Sequence, residues 1–133
     1  MISWIAWIGD LLVFLIFAAA GRASHGLLME DPVLWGVARA AAPFVLAWWI
    51  VAGAFRLYRL DPALPLAPMA WRIGLAWLGA GVLGLLLRSL LLGRPAPIAF
   101  ALITLVGNGV LLIAWRLLLQ VWIRRQAASG AMR

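Results

Sequence analysis

The sequence predicts an all-α protein: one transmembrane domain, a bundle of four helices with both termini on the cytoplasmic side. The composition is 67% hydrophobic and only 11% charged, whereas soluble domains are about a quarter charged. Four apolar runs are separated by short segments rich in arginine, glycine or proline. Each run is close to or longer than the roughly 20 residues that cross a bilayer. A small soluble fold could not bury so much apolar surface, so the expected environment is a membrane.

The predicted spans cover the four runs, 4–20, 33–55, 71–92 and 98–123. Gly21 is expected to end the first helix, since glycine favours the left-handed conformation of a helix C-terminus. Asp31 and Pro32 read as an N-cap followed by proline at the first helical position. Pro43 falls inside the second helix, where it predicts a kink or the level at which the chain enters the bilayer.

The later connections are short. Pro62, Pro65 and Pro68 recur at every third residue, a spacing typical of an extended polyproline crossing of the interface. Residues 93–97 predict a tight turn that stops the third helix and starts the fourth. The polar tail at 126–133 is expected to fray.

The arginines predict the orientation. All eleven basic residues are arginine, and the net charge is +7. Four spans place both termini and the second connection on one side, which holds seven arginines against four on the other. Because basic residues favour the cytoplasmic side, both termini are predicted to be cytoplasmic. The arginines lie singly near the ends of the runs rather than on one polar face, so no nucleic-acid partner is expected.

Small residues line one face of the third run. Its members follow one another at steps of three or four and therefore share one side of a helix: Gly74, Trp77, Gly81, Gly84 and Arg88. Glycines on such a face let a second helix approach closely. We therefore predict that Gly74, Gly81 and Gly84 are helix-packing positions. The third helix is expected at the centre of the bundle, with Arg88 on its inward side.

The segment Gly21-Arg22-Ala23-Ser24-His25-Gly26 contains the only histidine. With residues of the second and third runs it predicts a polar cluster on the outer membrane face, formed by Arg22, Ser24, His25, Arg39 and Arg88. One interpretation is a loop held by arginine–carboxylate pairs, with Glu30 and Asp31 as the nearby carboxylates. The other is a pocket in which the arginines and the imidazole hold a phosphate or carboxylate head group.

Asp10 and Arg116 are charged residues inside the first and fourth runs, at similar depth from the cytoplasmic border. A charge inside a span is costly and needs a partner, so the two are predicted to pair. The structural interpretation is an ion pair that fixes the register of two helices. The alternative is a proton or ion relay that continues along the polar face of Thr104 and Asn108. Arg72 is a weaker partner for Asp10, since it lies nearer to water.

Nine tryptophans lie mostly near span ends, as in interfacial aromatic belts, and Tyr58 reads as an interfacial residue of the same kind. Trp48, Trp49 and Trp77 lie deeper and are expected to pack in the core or against lipid. A pigment, a quinone or a partner helix could also stack on them. His25 could ligate a haem or chlorin metal, but no metal or cofactor is predicted. The absence of cysteine excludes disulfides and thiolate ligands.

No catalytic motif supports an enzyme. The sequence has no HExxH, GxSxG or phosphate-binding loop, and the adjacent Ser24 and His25 would seldom orient as nucleophile and base. The predicted function is a non-catalytic membrane subunit that packs against other membrane proteins or itself, with lipid or pigment as candidate ligands. The alternative is a small oligomeric transporter, or an anion- or head-group-binding protein that uses the arginine–histidine cluster.

Several short motifs together carry a resemblance to a known family. They are the segment 21–26, the stretch Ala42-Pro43-Phe44 with Trp48 soon after it, Leu87-Arg88 and Trp115-Arg116. On these residues the chain resembles, over nearly its whole length, the small bacterial and archaeal membrane family catalogued as domain of unknown function 3054. The resemblance implies a four-helix protein of a prokaryotic cytoplasmic membrane. It brings no established activity and therefore assigns no functional residues.

Overall fold

The computed structural model describes residues 3–24, 26 and 32–131, and this part of the chain forms four α-helices and no strand. The helices are α1 (Ser3–Ser24), α2 (Val33–Ala54), α3 (Leu66–Leu92) and α4 (Ile98–Ala131). Each is long and apolar enough to cross a membrane. The predicted all-α class with four membrane-crossing helices is confirmed.

The four helices pack in a ring. α1 and α3 each contact both α2 and α4, and they face each other across the core. The predicted inward stripe of α3 is buried at Trp77, Gly81 and Gly84. α3 nevertheless occupies one corner of the ring rather than the centre, because every helix has two neighbours and the core lies between all four.

Consecutive helices alternate in direction, which gives the bundle two distinct ends. The termini end holds the start of α1, the α2–α3 connection and the end of α4. The hairpin end holds the end of α1, the start of α2 and the short turn between α3 and α4. Charged and polar side chains are arranged differently at these two ends.

The first helix ends later than predicted. α1 continues through Gly21 to Ser24, and the Ser24 hydroxyl donates to the Gly21 carbonyl at 2.9 Å. Gly26 has a positive φ of 68°, and its N–H donates to the Ala23 carbonyl. The prediction that Gly21 ends the helix is therefore wrong. Glycine inside a helix costs only ~1 kcal/mol, and the left-handed position is taken by Gly26.

The second helix begins at Val33, where the predicted span begins, but Pro32 is its N-cap residue rather than its first helical residue. Asp31, the predicted N-cap, lies outside the described residues. The helix runs without interruption through Pro43, which is buried in the core. Membrane helices tolerate proline where neighbouring helices satisfy or shield the freed backbone groups.

The third and fourth helices are both longer than predicted. α3 begins at Leu66 rather than at residue 71, and Pro68 lies in its first turn. A proline there removes no helical hydrogen bond, because the first N–H groups have no partner in the helix. The predicted extended crossing is therefore wrong beyond Pro65. α4 continues to Ala131 rather than fraying at 126, since the tail is rich in alanine, the strongest helix former.

The α2 and α3 C-termini adopt the same left-handed cap with different residues. At the end of α3, Gly93 has a φ of 68°, which glycine adopts readily. At the end of α2, Arg56 has a φ of 58°, and the next residue, Leu57, donates its N–H to the Ala52 carbonyl. This is a Schellman cap, but an L residue in this conformation costs ~1–2 kcal/mol.

Aromatic rings fill the middle of the bundle. The centroid of the Trp77 ring of α3 lies 5.5 Å from that of Phe14 of α1. It lies 6.5 and 6.3 Å from the ring centroids of Phe44 and Trp48 of α2. Gly84 makes room for this packing, because a Cβ placed on it would lie 2.5 Å from Phe44 Cδ1. The centre of the core is thus closed by close-packed rings.

The other two predicted packing glycines differ from each other. Gly81 lies against Leu105 of α4, and a Cβ placed there would overlap the Leu105 side chain. A Cβ on Gly74 would lie 3.8 Å from Ile113, an ordinary van der Waals contact. Alanine at position 81 would therefore require the Leu105 side chain to move, whereas position 74 has room for alanine.

Candidate functional site at the termini end

The termini end contains a buried ion pair between α1 and α4. The side chains of Asp10 and Arg116 are 0% and 1% exposed, and Arg116 Nη2 lies 2.7 Å from Asp10 Oδ2. A second bond joins Arg116 Nε to Asp10 Oδ1 at 2.9 Å. The guanidinium thus holds the carboxylate through two hydrogen bonds, a geometry that gives strong and directional pairing.

Three aromatic side chains donate further hydrogen bonds to the Asp10 carboxylate. Trp48 Nε1 and the Tyr58 hydroxyl donate to Oδ2 at 2.8 and 2.6 Å. Trp115 Nε1 donates to Oδ1 at 3.1 Å. With the two bonds from Arg116, five hydrogen bonds reach this carboxylate. A carboxylate offers about four lone-pair sites, so the accepting capacity of Asp10 is filled.

Arg116 and Gln120, one turn apart on α4, hold the α2–α3 connection by its backbone. Arg116 Nη1 donates to the Leu57 carbonyl at 2.8 Å. Gln120 Nε2 donates to the Asp61 and Leu64 carbonyls at 2.8 and 3.0 Å. These carbonyls lie outside any helix, and the Asp61 carbonyl also accepts the Leu64 N–H at 3.2 Å. The connection is therefore attached to α4 by side chains that are themselves buried.

Tyr58, which the sequence predicts at the membrane interface, belongs to this network. Its ring lies 4.9 Å from the Arg116 guanidinium carbon, within the range of a cation–π contact. Burial, and after it the negative charge of Asp10, raises the pKa of the Tyr58 hydroxyl above its ordinary value. The hydroxyl therefore stays protonated at neutral pH and keeps donating to Asp10.

The ion pair does not continue into the predicted polar face of α4. Thr104 and Asn108 are each 2% exposed, but the fully buried Leu112 lies between Asn108 and Arg116 on the same face. Eight residues of helix separate Asn108 from Arg116 by ~12 Å. Thr104 Oγ1 and Asn108 Oδ1 have no hydrogen-bond partner among the described residues. This arrangement favours the structural interpretation of the pair over a proton relay.

The described arginines of the predicted arginine–histidine cluster lie at the hairpin end, and two of them, Arg22 and Arg88, pack against different neighbours. The Arg22 guanidinium lies on Gly36 of α2, where a Cβ would be 2.7 Å from Nη2. The Arg88 guanidinium carbon lies 4.1 Å from the centroid of the Phe100 ring of α4. Arg22 thus joins α1 to α2, and Arg88 joins α3 to α4.

The remaining members of this cluster are exposed or undescribed. Ser24 is exposed and bonds within its own helix, and Arg39 is exposed on α2. His25, Glu30 and Asp31 lie outside the described residues, so a histidine-ligated metal and arginine–carboxylate pairs in this loop stay predictions. In the described part of the chain, no three histidine, aspartate or glutamate side chains are grouped as metal ligands.

The deep tryptophans are engaged by the protein itself. Trp48 donates to the ion pair, and Trp77 Nε1 donates to the Leu105 carbonyl at 2.7 Å. The Trp49 ring stacks on Trp7 of α1, with the ring centroids 4.5 Å apart. These contacts agree with the expected role in core packing.

Sequence reasoning paired Asp10 with Arg116 but missed the other four members of the network, Trp48, Trp115, Tyr58 and Gln120. Gln120 had a usable signal, since it lies one turn after Arg116 on the same helix face. The aromatic donors had no signal in the sequence, because their contact with Asp10 depends on how α1, α2, α4 and the α2–α3 connection pack. Arg72, the weaker partner considered for Asp10, donates instead to the Phe55 carbonyl at 2.8 Å.

Four apolar helices closed around a buried charge pair define a multi-pass membrane bundle. The model of the family described as "Protein of unknown function (DUF3054)" matches residues 7–119, so the chain belongs to this family. The resemblance found in the sequence is therefore confirmed, and the matched range contains the ion pair and its three aromatic donors. No curated protein and no solved structure matches the chain significantly.

Proposed function

We propose that this protein is a non-catalytic membrane protein that acts as an accessory or structural subunit, packing against another membrane protein or a second copy of itself. The observation that carries the proposal is the filled network. The accepting capacity of Asp10 is used by donors of the protein itself. A carboxylate in this state holds helices together and has no lone pair left for a substrate.

An exposed face of α1 supports the packing role. Trp4, Ile8, Leu12 and Ile16 recur at every fourth residue and are 64%, 49%, 50% and 62% exposed. Together with Trp115 of α4 they line an apolar groove between the two helices. Membrane helices associate through close van der Waals packing, and a groove of this kind accepts a helix from a partner subunit.

A photo-reactive amino acid placed in the groove tests the packing role in native membranes. Leu12, in the groove, and Val82, on the outer face of α3, form a matched pair because they are 50% and 52% exposed. We expect a discrete protein adduct from position 12 and only lipid adducts from position 82. The same adduct pattern at both positions would contradict the proposal.

We also propose that the protein resides in the cytoplasmic membrane of a prokaryotic cell with both termini in the cytoplasm. The distribution of arginines, seven on the side of the termini against four on the other, supports this orientation. Reporter fusions at residue 26 and at the C-terminus test it. A cytoplasmic signal at residue 26 would reverse the topology.

A second candidate is a small oligomeric transporter, or an anion- or lipid-binding protein that uses the hairpin end. It is favoured by three buried polar atoms without a hydrogen-bond partner among the described residues, Arg88 Nη1, Thr104 Oγ1 and Asn108 Oδ1. With only four spans, several copies would be needed to line a path. Loss of bound lipid or anion in a folded Arg88→Ala variant would support this candidate, and unchanged binding would count against it.

A further inference from the structure

We propose that the termini end binds a phosphate-bearing anion at the mouth of a small cleft lined by Arg56, Arg59 and Arg72 beside the α2–α3 connection. The cleft itself has a volume of about 20 Å³, room for about one water, so the anion would lie against the exposed guanidinium groups at its mouth. This site lies at the opposite end of the bundle from the arginine–histidine cluster. It does not depend on the packing role of the protein. The chemistry it would recognise is a phosphate group, carried by a membrane lipid or free in solution.

The cleft has more positively charged side chains than negatively charged ones. Outside the buried pair its charged lining consists of three arginines and one carboxylate, Arg56, Arg59, Arg72 and Asp61. Arg116 lies deeper and adds no net charge, because Asp10 pairs with it. Among the described residues, neither Arg56 nor Arg59 forms an ion pair. Their guanidinium groups can therefore take an anionic partner from outside the chain.

The backbone that presents these arginines is held in place. The buried side chains of Arg116 and Gln120 bond to carbonyls of the connection on both sides of Arg59. Arg72 donates from Nη2 to the carbonyl of Phe55, the residue before Arg56. A guanidinium has five N–H donors, so this single bond leaves Arg72 donors for a ligand. A fixed backbone lowers the entropic cost of bringing the arginines to one anion.

The backbone of Arg56 provides a second, independent observation. Its φ of 58° is one that glycine adopts without strain, as Gly93 does at the end of α3. An arginine in this position is unfavourable for the fold alone. Strain of this kind is often found where the side chain has a function, and here the strained residue lines the charged cleft.

The neighbours of these arginines place the cleft at the level of the lipid head groups. Phe55 and Trp71, adjacent to Arg56 and Arg72, are 46% and 71% exposed. Exposed aromatic rings at helix ends are typical of the membrane interface. Arginine binds phosphate through paired N–H donors, and basic residues at this level attract anionic lipids. A head-group phosphate is therefore within reach of the cleft.

Native mass spectrometry of the full-length protein tests the proposal, with dioleoyl phosphatidylglycerol and dioleoyl phosphatidylcholine as probes. The decisive variant is Arg56→Gly, which removes one guanidinium and relieves the strained φ, so that the fold is retained. We expect wild-type protein to retain phosphatidylglycerol preferentially and Arg56→Gly to bind it about fivefold more weakly. Arg124→Gln, at an exposed position of α4 outside the cleft, should leave binding unchanged.

Inorganic phosphate added as a competitor distinguishes the two sources of the anion. Displacement of phosphatidylglycerol by free phosphate assigns the site to a soluble anion, and persistence of the lipid assigns it to a head group; either supports the site. Equal binding of phosphatidylglycerol by wild type and Arg56→Gly, or no preference over phosphatidylcholine, overturns the proposal. A thermal midpoint of Arg56→Gly no lower than that of wild type excludes misfolding, and Arg59→Gln repeats the comparison if it is lower.

Discussion

The two ends of the bundle are stabilised by different interactions. At the termini end, five hydrogen bonds converge on one buried carboxylate and join α1, α2, α4 and the α2–α3 connection. Towards the hairpin end, the contacts are mainly apolar, with glycines at positions 81 and 84 packed directly against Leu105 and Phe44. The buried polar atoms of Thr104 and Asn108 in this half have no partner among the described residues.

This difference shows which interactions select one helix arrangement in a membrane bundle. In lipid, apolar side chains gain little by moving from one helix neighbour to another, so apolar packing alone selects a helix arrangement weakly. Hydrogen bonds to a charged group are directional and strong, and they select one register. The termini end therefore selects the relative position of the helices more strongly than the apolar contacts towards the hairpin end do.

The largest expected effect comes from breaking the network at its centre. In Asp10→Asn the negative charge is lost and Arg116 stays buried without a counter-ion. Removing one member of a buried pair costs about 3–5 kcal/mol. Unfolding followed by circular dichroism in detergent, with increasing denaturant, measures the loss. A variant within about 1 kcal/mol of wild type would mean that the network does not hold the helices together.

The second prediction addresses packing towards the hairpin end. In Gly84→Ala the new methyl group would meet Phe44 at 2.5 Å, and overpacking of this kind costs about 1–3 kcal/mol. Gly74→Ala is the matched control, because its methyl group would lie 3.8 Å from Ile113. Thermal unfolding in detergent should separate the two variants. Equal stability of both would show that α2 and α3 move apart without cost.

A third prediction concerns Tyr58, the only tyrosine in the chain. Tyr58→Phe removes one of five hydrogen bonds to Asp10, and loss of a bond to a charged group costs about 1.5 kcal/mol. Double-mutant cycles with Asp10→Asn should show coupling between the two positions. Additive effects would indicate that Tyr58 acts independently of the carboxylate.

Tyr58 also predicts that the stability of the fold falls at alkaline pH. The pKa of Tyr58 is raised in the folded protein by burial and by Asp10, so its contribution to stability is present below pH ~10, the ordinary tyrosine value. It is lost as the pH rises further, because the unfolded chain then releases a proton that the folded protein retains. Near-ultraviolet tyrosinate absorbance should show no ionisation near pH ~10 in the folded state. The Tyr58→Phe variant should lack this loss of stability.

The smallest expected effect is a gain of stability rather than a loss. In Thr104→Val a buried hydroxyl without a partner among the described residues is replaced by a methyl group of the same shape. Such a change is neutral or stabilises the fold by up to about 1 kcal/mol. The thermal midpoint of the purified variant measures it. A clear loss of stability would show that Thr104 has a polar partner in the membrane, which would strengthen the ligand-binding alternative for this half.

Much of this site could be read from periodicity and depth. The pairing of Asp10 with Arg116 follows from the sequence, because two charges inside apolar runs lie at matching depth and each needs a partner. The cleft arginines were counted only as markers of orientation. Their grouping depends on the left-handed turn at Arg56. An arginine in the sequence does not predict such a turn, since glycine is the usual residue there. The early start of α3 was missed for a similar reason, because Pro68 reads as a helix breaker and is harmless in a first turn.

By itself, the sequence determined the class of protein, the number of helices, the family and the need for a partner to Asp10. These follow from composition and from spacing along one helix, which are local properties of the chain. Only the tertiary structure decided which donors reach the carboxylate, how the α2–α3 connection is held and where the arginines gather. Such contacts depend on the rotation and packing of several helices, and no single segment encodes them.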